Sequence, residues 1–577
     1  MDNDFLCCRM ISFDQKGKLV TESTCQPDGC QRTIHDLILR LPSLGEYKIS
    51  RGFRQLGDDE IRLFVLCPGL DGSPVVGYLL HIRLAAAPAY HAVSWAWGDE
   101  NDTEEITLDE SPTSVPVNLV PALKAFRQLK DPLLLWVDTL CINQFNITER
   151  NHQVRLMVNI YASAATVLAW LGPATTDSVT GLAWLKNYLE SGEVRQLTRS
   201  SQYRLHRGQG DMAERLWWSR MWVMQEVLLA QEAFLCVGKN RILWPKSDSW
   251  RFLRQNGTYG EFKDSVNTLL RLEALLGAYR NRPSILDVFA LSQHRNCKDP
   301  RDRVFAILGL VDTRDAAANF ADYTLTLSEV QRRLFESNVE MYLDLRTLSY
   351  AKGACSESTQ SSSDRTWLPA WGNDHMISLG LDWTKTTALR QYVMLKSMAR
   401  SSRRHKAAGL SIPVFDMRSG PSFDGFVFDH VRYPEQYAED AFCAPAFYIG
   451  LGWTLDDWTR TLLIRPSDFL HIKDSNSEEM VLSKSNIEEL CDKALAHMAE
   501  ITTKSGRKGT STRYCRPGDL VCILFGGNVP YILRKTTNDT NERYLFVGEA
   551  YIDGVMDGEM MHELEQGLHQ IQTFELA

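Results

Sequence analysis

The sequence pattern that is most informative about the fold lies in residues Leu133–Gly172, LLLWVDTLCINQFNITERNHQVRLMVNIYASAATVLAWLG. It opens with five apolar residues that end at Asp138, and a short run without alternation is typical of a strand buried on both faces. Asn146 and Glu149 have the spacing of a capping box, and apolar residues recur behind them at helical spacing. The apolar run Thr166–Gly172 follows. The stretch therefore predicts strand, helix and strand, a βαβ unit of a parallel sheet.

This unit places polar residues just beyond the carboxyl end of a strand. In open α/β sheets, ligands bind beyond the carboxyl ends of the strands, where Asp138, Asn143 and Gln144 fall. An equally open interpretation is that Asp138 only ends the strand and that the other two residues form a turn.

A second stretch ends in a comparable way. Residues Tyr90–Gly98 (YHAVSWAWG) predict a buried strand with Ser94 and Asp99 near its carboxyl end. Gly98 lacks a side chain and would let a ligand approach the backbone. The alternative is a strand that ends in a glycine turn and carries structural tryptophans.

The third stretch is Glu214–Ala230, which contains no proline or glycine and predicts one helix. At about 100° per residue, Trp222 and Glu226 form an i, i+4 pair on the same stripe as Arg215 and Trp218. This arrangement predicts an aromatic face beside a carboxylate. In the alternative interpretation, Glu226 is buried in an ion pair with a nearby arginine, and the tryptophans are core residues.

The rest of the chain predicts a modular organisation. A strand hairpin is predicted over residues 60–84, short strands over 233–244, and a helix over 261–280. Thr326 and Glu329 have the spacing of a second capping box, which predicts the start of a helix that runs to about Leu343. Residues 355–364 are a low-complexity linker, and the strands predicted at 516–526, 530–534 and 544–554 suggest a small β-barrel-like module. The predicted segments are a leader (1–59), an α/β domain (60–245, core 90–245), a helical region (246–350), a linker (351–366) and a β-rich C-terminal region (367–577).

Composition excludes several classes of protein. The hydrophobic share is 44%, and the net charge of −9 does not suggest a nucleic-acid partner. No apolar run is long enough for a transmembrane helix. The 13 cysteines are scattered without a CxxC motif, which predicts reduced thiols and a cytoplasmic location. No P-loop, H-E-x-x-H or G-x-S-x-G motif occurs, and no metal site is predicted.

The three stretches together resemble a known family. The sequence LWVDTLCINQ, followed by ER and later by WLG, resembles the central motif of the heterokaryon incompatibility (HET) domain of filamentous fungi. Tyr90–Gly98 resembles the opening motif of that domain, and Arg215–Glu226 (RLWWSRMWVMQE) resembles its third block. All three occur in the family order. Weaker resemblance continues downstream in Asn296–Leu310, Trp367–Trp371 and Gly554–Glu559.

The resemblance implies a fold and a chemistry. The HET domain is distantly similar to TIR domains, some of which cleave NAD at the nicotinamide–ribose bond. This similarity implies a TIR/flavodoxin-like parallel sheet with flanking helices. It also implies that Glu226 is the catalytic carboxylate, which stabilises an oxocarbenium-like transition state. The residues implied to bind NAD, as substrate rather than as a resident cofactor, are Ser94, Trp97, Gly98, Asp99, Asp138 and Trp222.

The implied function is non-self recognition and programmed cell death in fungi, through NAD glycohydrolase chemistry. A second interpretation keeps this biological role but assigns it to protein–protein assembly without catalysis. A third is a metabolic α/β enzyme, which the missing nucleotide fingerprints disfavour. The expected partners are other incompatibility proteins or further copies of the chain.

Overall fold

The computed structural model describes four long stretches of the chain, residues 53–191, 207–244, 282–351 and 498–577, apart from gaps at 100, 209, 213, 293–294, 319, 344, 346, 349–350, 513, 528, 537–541 and 557. It also describes residues 366–368, 407–408 and 421–435 and several two-residue strands. The helix predicted over 261–280 and the linker predicted over 355–364 lie outside the described residues.

The first half of the chain forms a nine-stranded mixed sheet. Its strands are β1 Glu60–Leu66, β2 Val76–Arg83, β3 His91–Ser94, β4 Thr103–Leu108, β5 Ser111–Pro116, β6 Leu133–Trp136, β7 Thr166–Gly172, β8 Ala233–Val237 and β9 Asn240–Leu243. They lie in the order β9-β8-β7-β3-β6-β1-β2-β4-β5. The four strands β6, β3, β7 and β8 are parallel, and the predicted hairpin β1–β2 joins them antiparallel through β6.

The helices are mostly short. They are α1 Leu119–Phe126, α2 Asp138–Cys141, α3 Ile147–Ser163, α4 Thr176–Ser191, α5 Val223–Leu228, α6 Ile285–Ser292, α7 Asp302–Phe305, α8 Thr313–Ala318, α9 Leu327–Tyr342 and α10 Glu559–Glu565. The expectation of an α/β sheet with flanking helices, followed by a β-rich region, is confirmed.

The predicted βαβ unit is present as β6, α3 and β7, with β3 lying between its two strands. The cap of α3 differs from the predicted capping box. The Asn146 side chain accepts hydrogen bonds from the backbone N–H groups of Thr148 and Glu149, as an N-cap does. The Glu149 carboxylate does not return to the cap. It accepts instead from Asn143 N at 2.7 Å and from the buried Arg62.

The single helix predicted over 214–230 is wrong. Residues Leu216–Ser219 form one 3₁₀ turn, Arg220 is extended, and α5 begins only at Val223. The reason is a tertiary pairing: Asn296 exchanges backbone hydrogen bonds with Ser219 and Met221, at 2.6 and 2.9 Å. This bridge holds the backbone away from helical geometry, so the predicted four-residue stripe does not exist.

The downstream helices are part of the same core. Apolar residues from α6, α7 and the first half of α9 are buried in one hydrophobic cluster with the nine-stranded sheet. Phe335 and Val339, from the second half of α9, lie in a separate cluster with the C-terminal strands. Helix α9 begins with the capping box predicted at Thr326 and Glu329, which is confirmed. It therefore joins the two cores.

The C-terminal strands form a sheet that closes on itself. They are β10 Phe415–Asp416, β11 Ser422–Glu435, β12 Met498–Thr503, β13 Lys508–Thr512, β14 Leu520–Leu524, β15 Tyr531–Lys535, β16 Arg543–Ile552 and β17 Gln572–Leu576. The strands follow one another as β11-β12-β13-β16-β15-β14, and β14 pairs again with β11. The three consecutive strands predicted from the sequence are β14, β15 and β16.

The described residues contain no helix that is long and apolar enough to cross a membrane. The six cysteines among them, Cys67, Cys141, Cys236, Cys297, Cys515 and Cys522, carry no disulfide.

Candidate functional site

A cavity of about 1150 Å³ lies beyond the carboxyl ends of β3 and β6. One wall is formed by the residues that follow these two strands and by the segment that leads into α5. A second wall comes from Arg150 of α3, from residues 296–302 and from Tyr323 and Leu327. The volume exceeds that of most sites for small ligands.

Glu226 lies in the first turn of α5, has only 2% of its surface exposed and is one of the residues that line the cavity. One carboxylate oxygen accepts a hydrogen bond from the Ser94 hydroxyl at the end of β3. Ser94 is itself completely buried and accepts from the Trp217 indole N–H at 2.8 Å. The other carboxylate oxygen is 3.9 Å from the guanidinium of Arg220, whose N–H donates to the Trp95 carbonyl.

Burial raises the pKa of Glu226 to about 7. The positive charge of Arg220 and the Ser94 hydrogen bond act in the opposite direction, and the nearby Asp138 raises the pKa further. The carboxyl group therefore exchanges its proton near neutral pH. A titratable group with a shifted pKa at the edge of a cavity is a candidate for a functional residue.

Asp138 is the second acidic group of this wall. Its two carboxylate oxygens accept from the indole N–H groups of Trp95 and Trp97, each at 2.9 Å. The two indole rings are stacked, with centroids 6.0 Å apart. Gln144 also donates to the Asp138 carbonyl, at 3.0 Å. The two indole N–H groups therefore hold the Asp138 carboxylate in one position beyond the carboxyl ends of the parallel strands.

A buried ion pair holds the loop that carries Asp138. The Arg62 guanidinium, which has no exposed surface, binds both Glu149 oxygens, at 2.5 and 3.0 Å, and donates to the Cys141 carbonyl. Its Nε atom donates to His81, whose pKa burial lowers to about 4. Glu149 also accepts from the backbone N–H of Asn143. Arg62 of β1 therefore holds the chain after β6 at two points, directly at Cys141 and through Glu149 at Asn143.

The second wall carries its own acidic group. Burial raises the pKa of Asp302 to about 6, although hydrogen bonds from Tyr323 and Trp222 lower it. The Tyr323 hydroxyl donates to Asp302 at 2.6 Å. Trp222, which caps α5, therefore connects the wall of Glu226 to the wall of Asp302.

The structure brings six of the seven predicted site residues to the cavity: Trp97, Gly98, Asp99, Asp138, Trp222 and Glu226. Ser94 instead lies behind Glu226 and contacts its carboxylate. Gly98 has a φ of +75°, and a Cβ atom there would lie 2.4 Å from the Asn118 amide nitrogen. The structure thus explains this glycine by a neighbouring side chain. Asp99 is exposed and accepts from the backbone of Asn101 in a turn.

The sequence interpretation missed the second wall. It also assigned Trp217 only to the core and did not place this residue on Ser94. The resemblance of Asn296–Leu310 to the segment that follows the HET domain was the one available signal, but nothing in that segment marked its residues as part of a site.

Comparison with known proteins agrees with this architecture. Residues 90–226 match the family model described as heterokaryon incompatibility protein (HET), and residues 472–568 match the Het-6 beta-barrel domain. The chain is 22% identical, over 630 residues, to heterokaryon incompatibility protein 6, OR allele, of Neurospora crassa. The alignment covers 84% of this chain and 91% of that protein. No solved structure matches significantly. The chain is therefore similar to a fungal heterokaryon incompatibility protein over most of its length, and residues 90–226, which match the HET model, include strands of the sheet that carries the cavity.

Proposed function

We propose that this protein acts in fungal heterokaryon incompatibility and that its HET domain cleaves NAD at the nicotinamide–ribose bond. The biological role is supported by the HET match and by the name of the Neurospora crassa relative, which aligns with most of the chain. Programmed cell death, a cytoplasmic location, self-association and binding to other incompatibility proteins stay predictions.

The strand order supports the proposed likeness to TIR and flavodoxin folds. Taken in chain order, the four parallel strands are β3, β6, β7 and β8, and their spatial order is β6-β3-β7-β8. This is the 2-1-3-4 order of a flavodoxin-like doubly wound sheet, in which ligands bind beyond the carboxyl ends of the strands. The cavity lies at that edge.

The observation that carries the proposed chemistry is the buried Glu226 carboxyl at the cavity, attached to the end of β3 through Ser94. In NAD hydrolysis the bond between ribose C1′ and the nicotinamide nitrogen breaks, and its electron pair leaves with neutral nicotinamide. Water then adds to C1′ and loses a proton, which yields ADP-ribose. An ionised Glu226 would stabilise the positive charge that develops on the ribose.

The remaining residues of the first wall suit the same substrate. The cationic nicotinamide ring would favour the ionised form of Glu226, because an opposite charge nearby lowers the pKa of a carboxyl group. Asp138 would accept hydrogen bonds from ribose hydroxyls. Trp97 and Trp222 offer partly exposed rings on which an aromatic base could stack.

The second candidate function is assembly without catalysis. Phe145, on the loop between Asp138 and α3, is completely exposed, at 101% relative accessibility. A large apolar side chain in this position favours a contact with another protein. In this view, Glu226 only anchors α5 to β3 through Ser94.

One experiment separates the two candidates. We would measure NAD consumption by the full-length protein for wild type, Glu226→Gln and the control Glu232→Gln, an exposed glutamate that follows α5. The full chain is needed because residues 296–327 complete the cavity. Catalysis predicts loss of NAD with wild type and Glu232→Gln but not with Glu226→Gln, while circular dichroism stays unchanged.

Intact NAD in every sample would contradict the proposed chemistry. Overexpression in a fungal host tests the assembly alternative. Toxicity that survives in the Glu226→Gln protein favours assembly, and toxicity that this substitution abolishes in a stable protein favours catalysis.

A further inference from the structure

We propose that Arg150 is the receptor for the phosphate groups of the ligand and that it binds the diphosphate of a dinucleotide in the second wall of the cavity. This inference rests on the proposed function for the identity of the ligand. It assigns to Arg150 a binding role that neither the motif resemblance nor the family match supplies.

Arg150 lines the cavity, and its guanidinium is stacked on the ring of Tyr323, with 3.9 Å between the guanidinium carbon and the ring centroid. None of the described residues accepts a hydrogen bond from this guanidinium, and its Nε atom is buried without a partner. Stacking on a ring face leaves the in-plane N–H groups free. A planar fork of such donors matches the oxygens of a phosphate group.

The neighbouring Arg301 differs from Arg150, because its guanidinium is engaged in hydrogen bonds within the protein. Its guanidinium binds both oxygens of Asp299, at 2.9 and 2.6 Å, and donates to the carbonyls of Tyr323 and Leu325. Arg301 is thus committed to holding its own loop. Arg150 lies on the same cavity wall, and its guanidinium has no hydrogen-bond acceptor among the described residues, as is expected of a residue that binds a ligand.

The ring under Arg150 is held firmly in place. Tyr323 donates its backbone N–H to the Asn151 side chain at 2.8 Å, and its hydroxyl donates to Asp302. Phe305 packs against the ring edge-on, with centroids 5.1 Å apart. Because Arg150 and Asn151 are adjacent on α3, one helix positions both the guanidinium and the ring on which it lies. A preorganised receptor loses less conformational entropy when it binds.

The charges of the cavity form two groups. Arg220 and Asp138 act on Glu226, whereas Asp299 and Arg150 act on Asp302. Trp222 lies between these groups, since its backbone carbonyl accepts from Glu226 N and its indole donates to Asp302. A ligand with its glycosidic bond beside Glu226 and its phosphates beside Arg150 would pass Trp222, and a dinucleotide carries both groups.

The second wall carries two carboxyl groups, Asp299 and Asp302. Asp299 is neutralised by Arg301, and Asp302 accepts two hydrogen bonds. The cations of this wall, Arg150, Arg301 and Lys298, outnumber these two carboxyl groups. Within this wall the charge balance favours the negatively charged part of a ligand, whereas the first wall carries three carboxyl groups beside Arg220.

The test is calorimetric titration of the full-length protein with three probes: ADP-ribose, inorganic pyrophosphate and nicotinamide riboside, which has no phosphate. The variants are Arg150→Met, which keeps the apolar stem, and the matched control Arg155→Met. Arg155 is five residues further along α3, stacks on Phe320 and donates to the Ala321 carbonyl, away from the cavity.

We expect Arg150→Met to weaken the binding of ADP-ribose at least tenfold and to leave nicotinamide riboside within twofold. Arg155→Met should change neither. If Arg150→Met weakens the binding of pyrophosphate but not of ADP-ribose, Arg150 belongs to a site for free phosphate and the assignment to a dinucleotide is overturned. If the substitution weakens the binding of both probes, Arg150 binds the diphosphate of the nucleotide. Equal affinity of wild type and Arg150→Met for both phosphate-bearing probes, or no binding of either to wild type, would overturn the assignment.

The result is independent of catalysis. ADP-ribose lacks the nicotinamide bond and cannot be cleaved there, so its binding to wild type and to Arg150→Met can be compared whether or not NAD is hydrolysed, and a failure of the proposed NAD cleavage leaves the phosphate site standing. Tyr323→Phe offers a second check, because the aromatic ring that supports Arg150 is kept. This variant should bind ADP-ribose within threefold of wild type, whereas Tyr323→Leu should lose affinity as Arg150→Met does.

Discussion

The Ser94 hydroxyl donates a hydrogen bond to the Glu226 carboxylate across 132 positions of the chain. This contact joins the end of β3 to the first turn of α5 and fixes the carboxyl group at the cavity. It also stabilises the ionised form of Glu226, because a hydrogen bond to a carboxylate lowers its pKa. The first prediction follows from this relationship.

Ser94→Ala should raise the pKa of Glu226 above its value of about 7. A hydrogen bond to a charged group contributes about 1.5–3 kcal/mol, so a shift of about one pH unit or more is expected. If NAD is cleaved, the acidic limb of the pH profile moves upward by the same amount. Infrared titration of the protonated carboxyl, taken as a difference from Glu226→Gln, measures the pKa without any activity. Ser219→Ala is the control, since Ser219 lines the cavity and donates only to the Leu216 carbonyl.

The second prediction concerns stability and pH. The pKa of Glu226 is raised from 4.5 to about 7 in the folded protein, so the folded state holds a proton that the unfolded state releases between these values. Stability is therefore lost as the pH rises from 4.5 to 7, and the cost is complete above 7. At about 1.36 kcal/mol per pH unit, this cost is roughly 3 kcal/mol.

Glu226→Gln removes this titration. Chemical denaturation should show that the unfolding free energy of the variant gains roughly 3 kcal/mol relative to wild type between pH 4.5 and pH 7.5. Asp302, whose pKa is also raised, titrates in both proteins, and its contribution cancels in the difference. A difference that stays constant across this pH range would contradict the burial of Glu226.

The third prediction concerns the ion pair of Arg62 and Glu149, which is almost completely buried. Glu149→Ala should destabilise the protein by about 3–5 kcal/mol, because it leaves the Arg62 charge buried without a partner. The variant also frees the backbone of Asn143, so the loop that carries Asp138 should exchange its amide hydrogens faster. Urea denaturation and hydrogen exchange measure the two effects.

The exposed pair of Arg83 and Asp59 provides the matched control. Its side chains are 70% and 61% exposed, and the charged atoms are 3.6 Å apart. Asp59→Ala should change the unfolding free energy by less than about 1 kcal/mol, because exposed pairs contribute little. Similar effects of the two substitutions would mean that the Arg62 pair is not desolvated.

The fourth prediction concerns the helix that joins the two cores. Thr326→Ala removes the side chain that caps α9 and should cost about 1 kcal/mol. Since α9 packs on both cores, the unfolding midpoints of the sheet and of the C-terminal barrel should both fall. Glu340→Ala, at an exposed position of the same helix, should stay within about 0.5 kcal/mol of wild type. A midpoint shift in one core only would show that α9 does not couple them.

Local patterns predicted much of the fold. Unalternated apolar runs identified β6 and β7, helical spacing identified α3, and the capping box at Thr326 located the start of α9. These signals succeed because a buried strand and an amphipathic helix impose their periodicity on the residues that form them. The segment 214–230 failed for the opposite reason. Its composition permits a helix, but Asn296, far along the chain, bonds its backbone in another geometry.

The residues of the candidate site likewise differ in whether the sequence could predict their position. Glu226, Asp138 and Trp222 could be named from the sequence because the motif resemblance marks them. The placement of Ser94 behind Glu226, and of Arg150 on the Tyr323 ring, could not be read from spacing, since each contact joins residues that are distant in the chain. Glu149, which was predicted to complete the capping box of α3, instead forms an ion pair with the buried Arg62 of β1.

Local sequence patterns predicted the parallel strands with their intervening helix and the strands of the C-terminal module, and the motif resemblance indicated the family and most residues of the first wall. These features are written in short windows, where neighbouring residues share one environment. The folded structure was needed to show that apolar residues of α6, α7 and the first half of α9 pack into the core of the nine-stranded sheet. It also showed that residues 296–302 complete the cavity and that Arg150 lines it without a hydrogen-bond acceptor for its guanidinium among the described residues. Those features depend on which distant segments come into contact, and the energies that select these contacts belong to the packed core as a whole.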